Sequence, residues 1–289
     1  MPTMASSRQD ELALAVVGRA VLLGMGVALV GTLPRNVLFA ANLRFFPGVP
    51  WAIPLTGVYL WFFWRYLAGA GPPESTSADR SEFLRATRIS ARAWGWALLA
   101  GGLGIVALVL ALQVANRLVT LPPQTLPDLG QVPRTAVLAL LLFAAPVAGV
   151  IEEAAFRGYM QGPIERRCGL PVAILVTGTM FAVAHLDFTP VLWPYYVAVA
   201  AIYGTVTYRT GSILPAVVLH TAGNVYSNLD LWRHGQAEWQ APASAAGLIW
   251  QSGANASFWQ SAVALVAMTG VTLWAFHRLT RATRPSPRV

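Results

Sequence analysis

The run TAVLALLLFAAPVAGVIEEAAFR, residues 135–157, holds seventeen uncharged residues, then two adjacent carboxylates, then a guanidinium four positions after the second. A helical crossing of a bilayer takes about 20 apolar residues, and this stretch comes close. Glu152 and Glu153 at its end are costly to bury unless paired, so ionisable groups at such a depth are candidates for function. On a helix Glu153 and Arg157 share a face and can neutralise each other. Glu152 stands about 100° further round and has to find partners elsewhere in the chain.

The rest of the sequence is as apolar as this run. Of 289 residues, 56% are hydrophobic and only 11% are charged, against roughly 25% charged in ordinary globular domains. Mean hydropathy is +0.55. So much apolar surface excludes a soluble globular protein of this length, and the expected fold is an all-α, polytopic membrane helical bundle. The net charge of +8 comes entirely from arginine on the basic side, with no lysine. Those arginines sit at the ends of apolar runs rather than along one polar face, which argues against a nucleic-acid partner. The single cysteine, Cys168, excludes an intrachain disulfide and any multi-cysteine metal site, and is expected to be a free thiol.

About eight spans are expected, at 12–33, 51–69, 94–115, 135–160, 170–186, 191–208, 213–227 and 258–276. Arg19 interrupts the first and argues against a cleaved signal peptide. Between the spans, 71–92 reads as an exposed loop ending in an amphipathic stretch, 121–133 as a Pro-rich connection, and 228–257 as a long loop lying along the interface. With both termini cytoplasmic, fourteen arginines fall on the inner side and five on the outer, with Arg19 embedded. The chain is expected to be one membrane domain, 1–289, with its chemistry in 134–228 and a polar, Arg-rich tail at 278–289.

Two further spans carry histidine. Phe181-Ala-Val-Ala-His185 and His220-Thr-Ala-Gly-Asn224 each place two chemically distinct side chains four apart on one helical face. A lone histidine or an isolated Phe on an apolar helix is ordinarily packing, and His with Asn is ordinarily interhelical glue. Their coincidence is what points further. Measured from the turn at Arg166 and Arg167, Glu152 lies about 21 Å and His185 about 28 Å along their helices; measured from Arg209, His220 lies about 16 Å and Asn224 about 22 Å. All four can meet at one depth. A carboxylate desolvated there is a competent general base for water. His185 can hold that water, while His220 and Asn224 can donate to the oxygen that gains charge in a tetrahedral intermediate.

The three motifs, Glu152-Glu153-x-x-x-Arg157, Phe181-x-x-x-His185 and His220-x-x-x-Asn224, resemble those of the CPBP (Abi) intramembrane proteases. That family includes the type II CAAX prenyl endopeptidases and bacterial proteins of bacteriocin processing or immunity. The resemblance covers roughly 134–228. It implies an intramembrane endopeptidase with Glu152 as base, His185 as the water-positioning group, His220 and Asn224 as oxyanion donors, and Glu153, Arg157 and Phe181 in support. It implies a peptide or membrane-protein substrate, the lipid bilayer as surroundings and a bacterial cell membrane as location; oligomeric state is left open. No cofactor is expected, the alternative being a zinc metalloprotease that uses Glu152, His185 and His220. Outside protease chemistry, the same residues would suit a proton or cation relay in a transporter, or a binding-only immunity or scaffold protein.

Overall fold

A computed structural model describes residues 4–121, 131–186, 189–235 and 247–283, with side chains from residue 11 onward. Among these residues every regular element is a helix. In chain order they are α1 (Met4–Phe45), α2 (Ala52–Leu67), α3 (Ser77–Leu84), α4 (Ala91–Leu118), α5 (Arg134–Glu152), a π-helical segment (Glu153–Gln161), α6 (Gly162–Cys168), α7 (Leu170–Ala184), α8 (Trp193–Thr210), α9 (Leu214–His234), α10 (Ile249–Ser252) and α11 (Ala256–Ala282). Most of the Pro-rich connection, Trp239 of the long loop, and Arg284 and Arg288 of the tail lie outside the described residues.

Four helical stretches are long and apolar enough to cross a membrane: Glu11–Phe45, Ala91–Leu118, Arg134–Cys168 and Ala256–Ala282. Their outer faces carry exposed apolar side chains, such as Leu22 at 76% and Val266 at 74% exposure, the covering that lipid contact requires. The chain is an integral membrane protein built as an all-α bundle. The eight expected spans become four that meet this measure and four, α2, α7, α8 and α9, that are shorter or more polar but pack into the same bundle.

Three boundaries depart from the sequence reading. α1 runs on through Pro34 to Phe45, because a proline inside a supported helix bends rather than ends it. The stretch read as an exposed loop at 71–92 contains α3, whose Arg80 and Leu84 are buried. Arg80 donates to the carbonyls of Gly69, Ala70 and Gly71, which ties the α2–α3 connection to the bundle. α9 continues seven residues beyond 227 to His234, since nothing in Asn228 to His234 forbids helix. Local capping sets the starts of α4 and α11: Ser90 accepts from the Ala93 N–H and Asn255 from the Phe258 N–H.

The π-helical segment is the centre of the bundle. All nine of its residues are buried, wrapped by α1, α3, α7, α8 and α9. A π-turn bonds i to i+5 and is rare, recurring as short insertions at functional sites. Here it begins at Glu153 and gives way to α6 where Pro163 supplies no N–H to the ladder. Two glycines set the approach of its neighbours. A Cβ at Gly24 of α1 would fall 2.7 Å from the Met160 Cβ, and one at Gly149 of α5 would fall 2.6 Å from the Thr221 hydroxyl of α9. The second contact brings α9 against the end of α5, and with it His220 against the carboxylates.

Candidate active site

Glu153 is fully buried and its Oε1 is shared by two cations or donors. Arg157 Nη1 stands 3.1 Å away, one turn along the same segment. The His220 Nδ1–H donates to the same oxygen at 2.7 Å from α9. The expected Glu153–Arg157 pair is therefore present, but it is a triad rather than a pair. Arg157, only 1% exposed, also donates from Nη2 to the Val199 carbonyl at 3.4 Å. Its guanidinium lies over the faces of Phe181 and Tyr203, each about 5.3 Å to the centroid, where the ring quadrupole favours positive charge.

Glu152 looks the other way. Its side chain is 16% exposed, and its Oε2 lies 3.5 Å from His220 Nε2. One imidazole thus spans the two adjacent carboxylates, using one nitrogen for each. Arg35 of α1 lies within electrostatic reach of Glu152. Glu152, His185, His220 and Asn224 all line one cavity of about 1030 Å³, together with Phe181 and Tyr203; Glu153 and Arg157 sit behind its wall.

His185 closes α7. Its Nδ1–H donates to the Phe181 carbonyl at 2.8 Å; because a carbonyl only accepts, a neutral ring keeps its lone pair on Nε2. The ring packs edge-on to Phe181 at 4.5 Å and against Tyr196 at 5.5 Å. Phe181 also meets the edge of His220 at 6.2 Å. On the other side Tyr203 stacks on His220 at 5.1 Å with 19° between the planes. The His220 plane is therefore set by an aromatic clamp, of which the sequence motifs supplied only Phe181. Tyr203 carries no distinguishing signal, being one of several tyrosines along α8.

The residues of the zinc alternative are not assembled as a ligand set. Among the described residues, no group of three or more His, Cys, Asp or Glu stands together as a metal site. In both histidines Nδ1 is taken, by Glu153 and by the Phe181 carbonyl, and Nε2 is the nitrogen left over.

Residues 134–226 match the family model described as Type II CAAX prenyl endopeptidase Rce1-like. No curated protein and no solved structure matches the chain. The matched segment starts with α5 and ends in α9, so it takes in both carboxylates, the π-helical segment, both histidines and Asn224. Over residues 134–226, about a third of its length, the chain is similar to the Rce1-like type II CAAX prenyl endopeptidases, in keeping with the resemblance of its three motifs to the CPBP intramembrane proteases.

Proposed function

We propose that the protein is a glutamate-type intramembrane endopeptidase that hydrolyses a peptide bond of a membrane-associated or lipidated peptide without a metal. The observation that carries this reading is the single imidazole of His220, held by Glu153 on one nitrogen and facing Glu152 with the other, at the wall of a large cavity. Glu152, exposed to that cavity yet surrounded by apolar helices, takes a proton from water as the water oxygen forms a bond to the scissile carbonyl carbon. His185, with an acceptor nitrogen left on a neutral ring, holds the same water by its second hydrogen. The carbonyl oxygen gains charge and accepts from Asn224 and from His220. An imidazolium at His220 has N–H groups for both Glu153 and this oxygen, and with Arg157 it balances the two carboxylates. Collapse of the intermediate breaks the C–N bond, and the leaving amine takes the proton that Glu152 holds. Donors of this kind are each worth about 3 kcal/mol when the water is excluded.

The enzyme so proposed sits in a bacterial cell membrane, with both termini on the Arg-rich, cytoplasmic side. Its partners are the lipid bilayer and a peptide or membrane-protein segment, and nucleic acid plays no part. The decisive experiment compares membrane peptides by mass spectrometry in cells expressing wild type or Glu152→Ala at equal levels. Peptides that appear only with wild type support the protease. Identical profiles, together with cation flux abolished by Glu152→Gln, would replace it with a transporter.

A further inference from the structure

The cavity extends well beyond the reacting groups. From His220 it follows α9 towards its C-terminal end, where Asp230 and His234 line it. Those residues lie about 15 Å and 21 Å from His220 at ~1.5 Å per residue. The facing wall is α4, and its register follows from Leu219, whose side chain occupies the space a Cβ at Gly101 would need. Above that level α4 presents Ile105, Leu108 and Val109 to the cavity, and then Gln113. The trough is therefore apolar next to the candidate chemistry and polar at its far end.

The far end holds two charged groups of opposite sign, and their settings differ. Arg117 of α4 is only 7% exposed. It donates to the carbonyls of Gly247 and Gly253, to Asn255 Oδ1 and to Ser252 Oγ, which fastens the α10 turn across the end of α4. Asp230 has a side chain 41% exposed and is met by the His234 Nδ1–H at 2.8 Å. It makes no ion pair with an arginine among the described residues. Asp230 is the charge in reach of a ligand, and Arg117 is already committed to the α10 turn and its flanks.

We propose that Asp230, with His234 beside it, is a specificity subsite for a basic side chain on the substrate. Asp230 lies about 9 Å beyond Asn224 and about 15 Å beyond His220 along α9. A scissile carbonyl held between those two donors lies about 12 Å from Asp230, which an extended chain at ~3.3 Å per residue covers in about three to four residues. The substrate class is then an unwound segment with apolar residues next to the scissile bond and Lys or Arg three or four positions away, on the side that runs along α9. This rests on the protease reading and adds the recognition rule to it.

The test is cleavage of a proteome-derived peptide library by the purified full chain in micelles, with products identified by mass spectrometry. Wild type is expected to enrich Lys and Arg about threefold or more at the third or fourth position on one side of the cleaved bond. Asp230→Asn is expected to flatten that enrichment, and Asp230→Arg to replace it with Asp and Glu. The same residue preference in all three proteins overturns the subsite and leaves the protease intact. Cleavage of no peptide by wild type removes the protease reading, and the subsite with it.

Discussion

His220 Nδ1 stands 2.7 Å from Glu153 Oε1 while its Nε2 stands 3.5 Å from Glu152 Oε2. Two neighbouring carboxylates thus take different parts. Glu153, buried with Arg157, holds the imidazole; Glu152 is open to the cavity, where the proposed mechanism needs its base.

Glu152→Gln keeps the size and polarity of the side chain but removes the base. It is expected to lower kcat by about 10²–10⁴-fold with little change in KM, read from cleavage of a fluorogenic peptide by the purified protein. Unchanged turnover would move the base to another residue.

Glu153→Gln leaves the guanidinium of Arg157 buried without its counter-charge. Breaking such a pair costs about 3–5 kcal/mol, so thermal unfolding in detergent is expected at a clearly lower temperature. Glu153→Leu combined with Arg157→Met is expected to regain most of the stability and none of the activity, because His220 still lacks its Nδ1 acceptor. Recovery of activity in that double variant would show that the triad serves packing alone.

Tyr203 acts on His220 through its ring face. Tyr203→Phe is expected to retain kcat within about twofold, whereas Tyr203→Leu is expected to lose about tenfold or more, one such loss corresponding to 1.36 kcal/mol. The accompanying readout is the His220 ring signal in histidine-labelled protein, shifted by the Leu variant and not by Phe. Equal behaviour of the two variants would dismiss the clamp.

Chelation separates the glutamate mechanism from the zinc alternative. Activity is expected to survive prolonged chelator treatment, with no stoichiometric zinc in the purified protein. Loss of turnover restored by added zinc would reverse the assignment and require Glu152, His185 and His220 to close on a metal.

Several features were legible because they depend on composition and short spacing. A carboxylate pair at the end of an uncharged run, with Arg157 one turn on, announces both a membrane helix and a buried ion pair. Equal depths along neighbouring helices brought His185, His220 and Asn224 to one cavity. What stayed hidden depends on tertiary contact. Nothing in Glu153-Ala-Ala-Phe-Arg157 distinguishes an i+5 ladder from an i+4 ladder, since Ala favours any helix and the apolar pattern has no strict period there. Tyr203 owes its place to how α8 is rotated against α9, and Arg35 owes its nearness to Glu152 to the packing of α1. The loop assigned to 71–92 failed for a related reason: Arg80 reads as solvated until the carbonyls of the α2–α3 connection turn towards it.

The widened turn also fixes how this protein can vary. Removing one residue between Arg157 and Gln161 with the ladder unchanged would rotate everything downstream by somewhat less than the ~100° that one α-helical residue subtends. Gln161, whose amide donates to the Gly204 carbonyl of α8, would be carried off that partner even though no polar side chain had been replaced. Exchange of one apolar side chain for another of similar bulk disturbs nothing comparable. For this part of the chain, the number of residues is a stricter requirement than their identity.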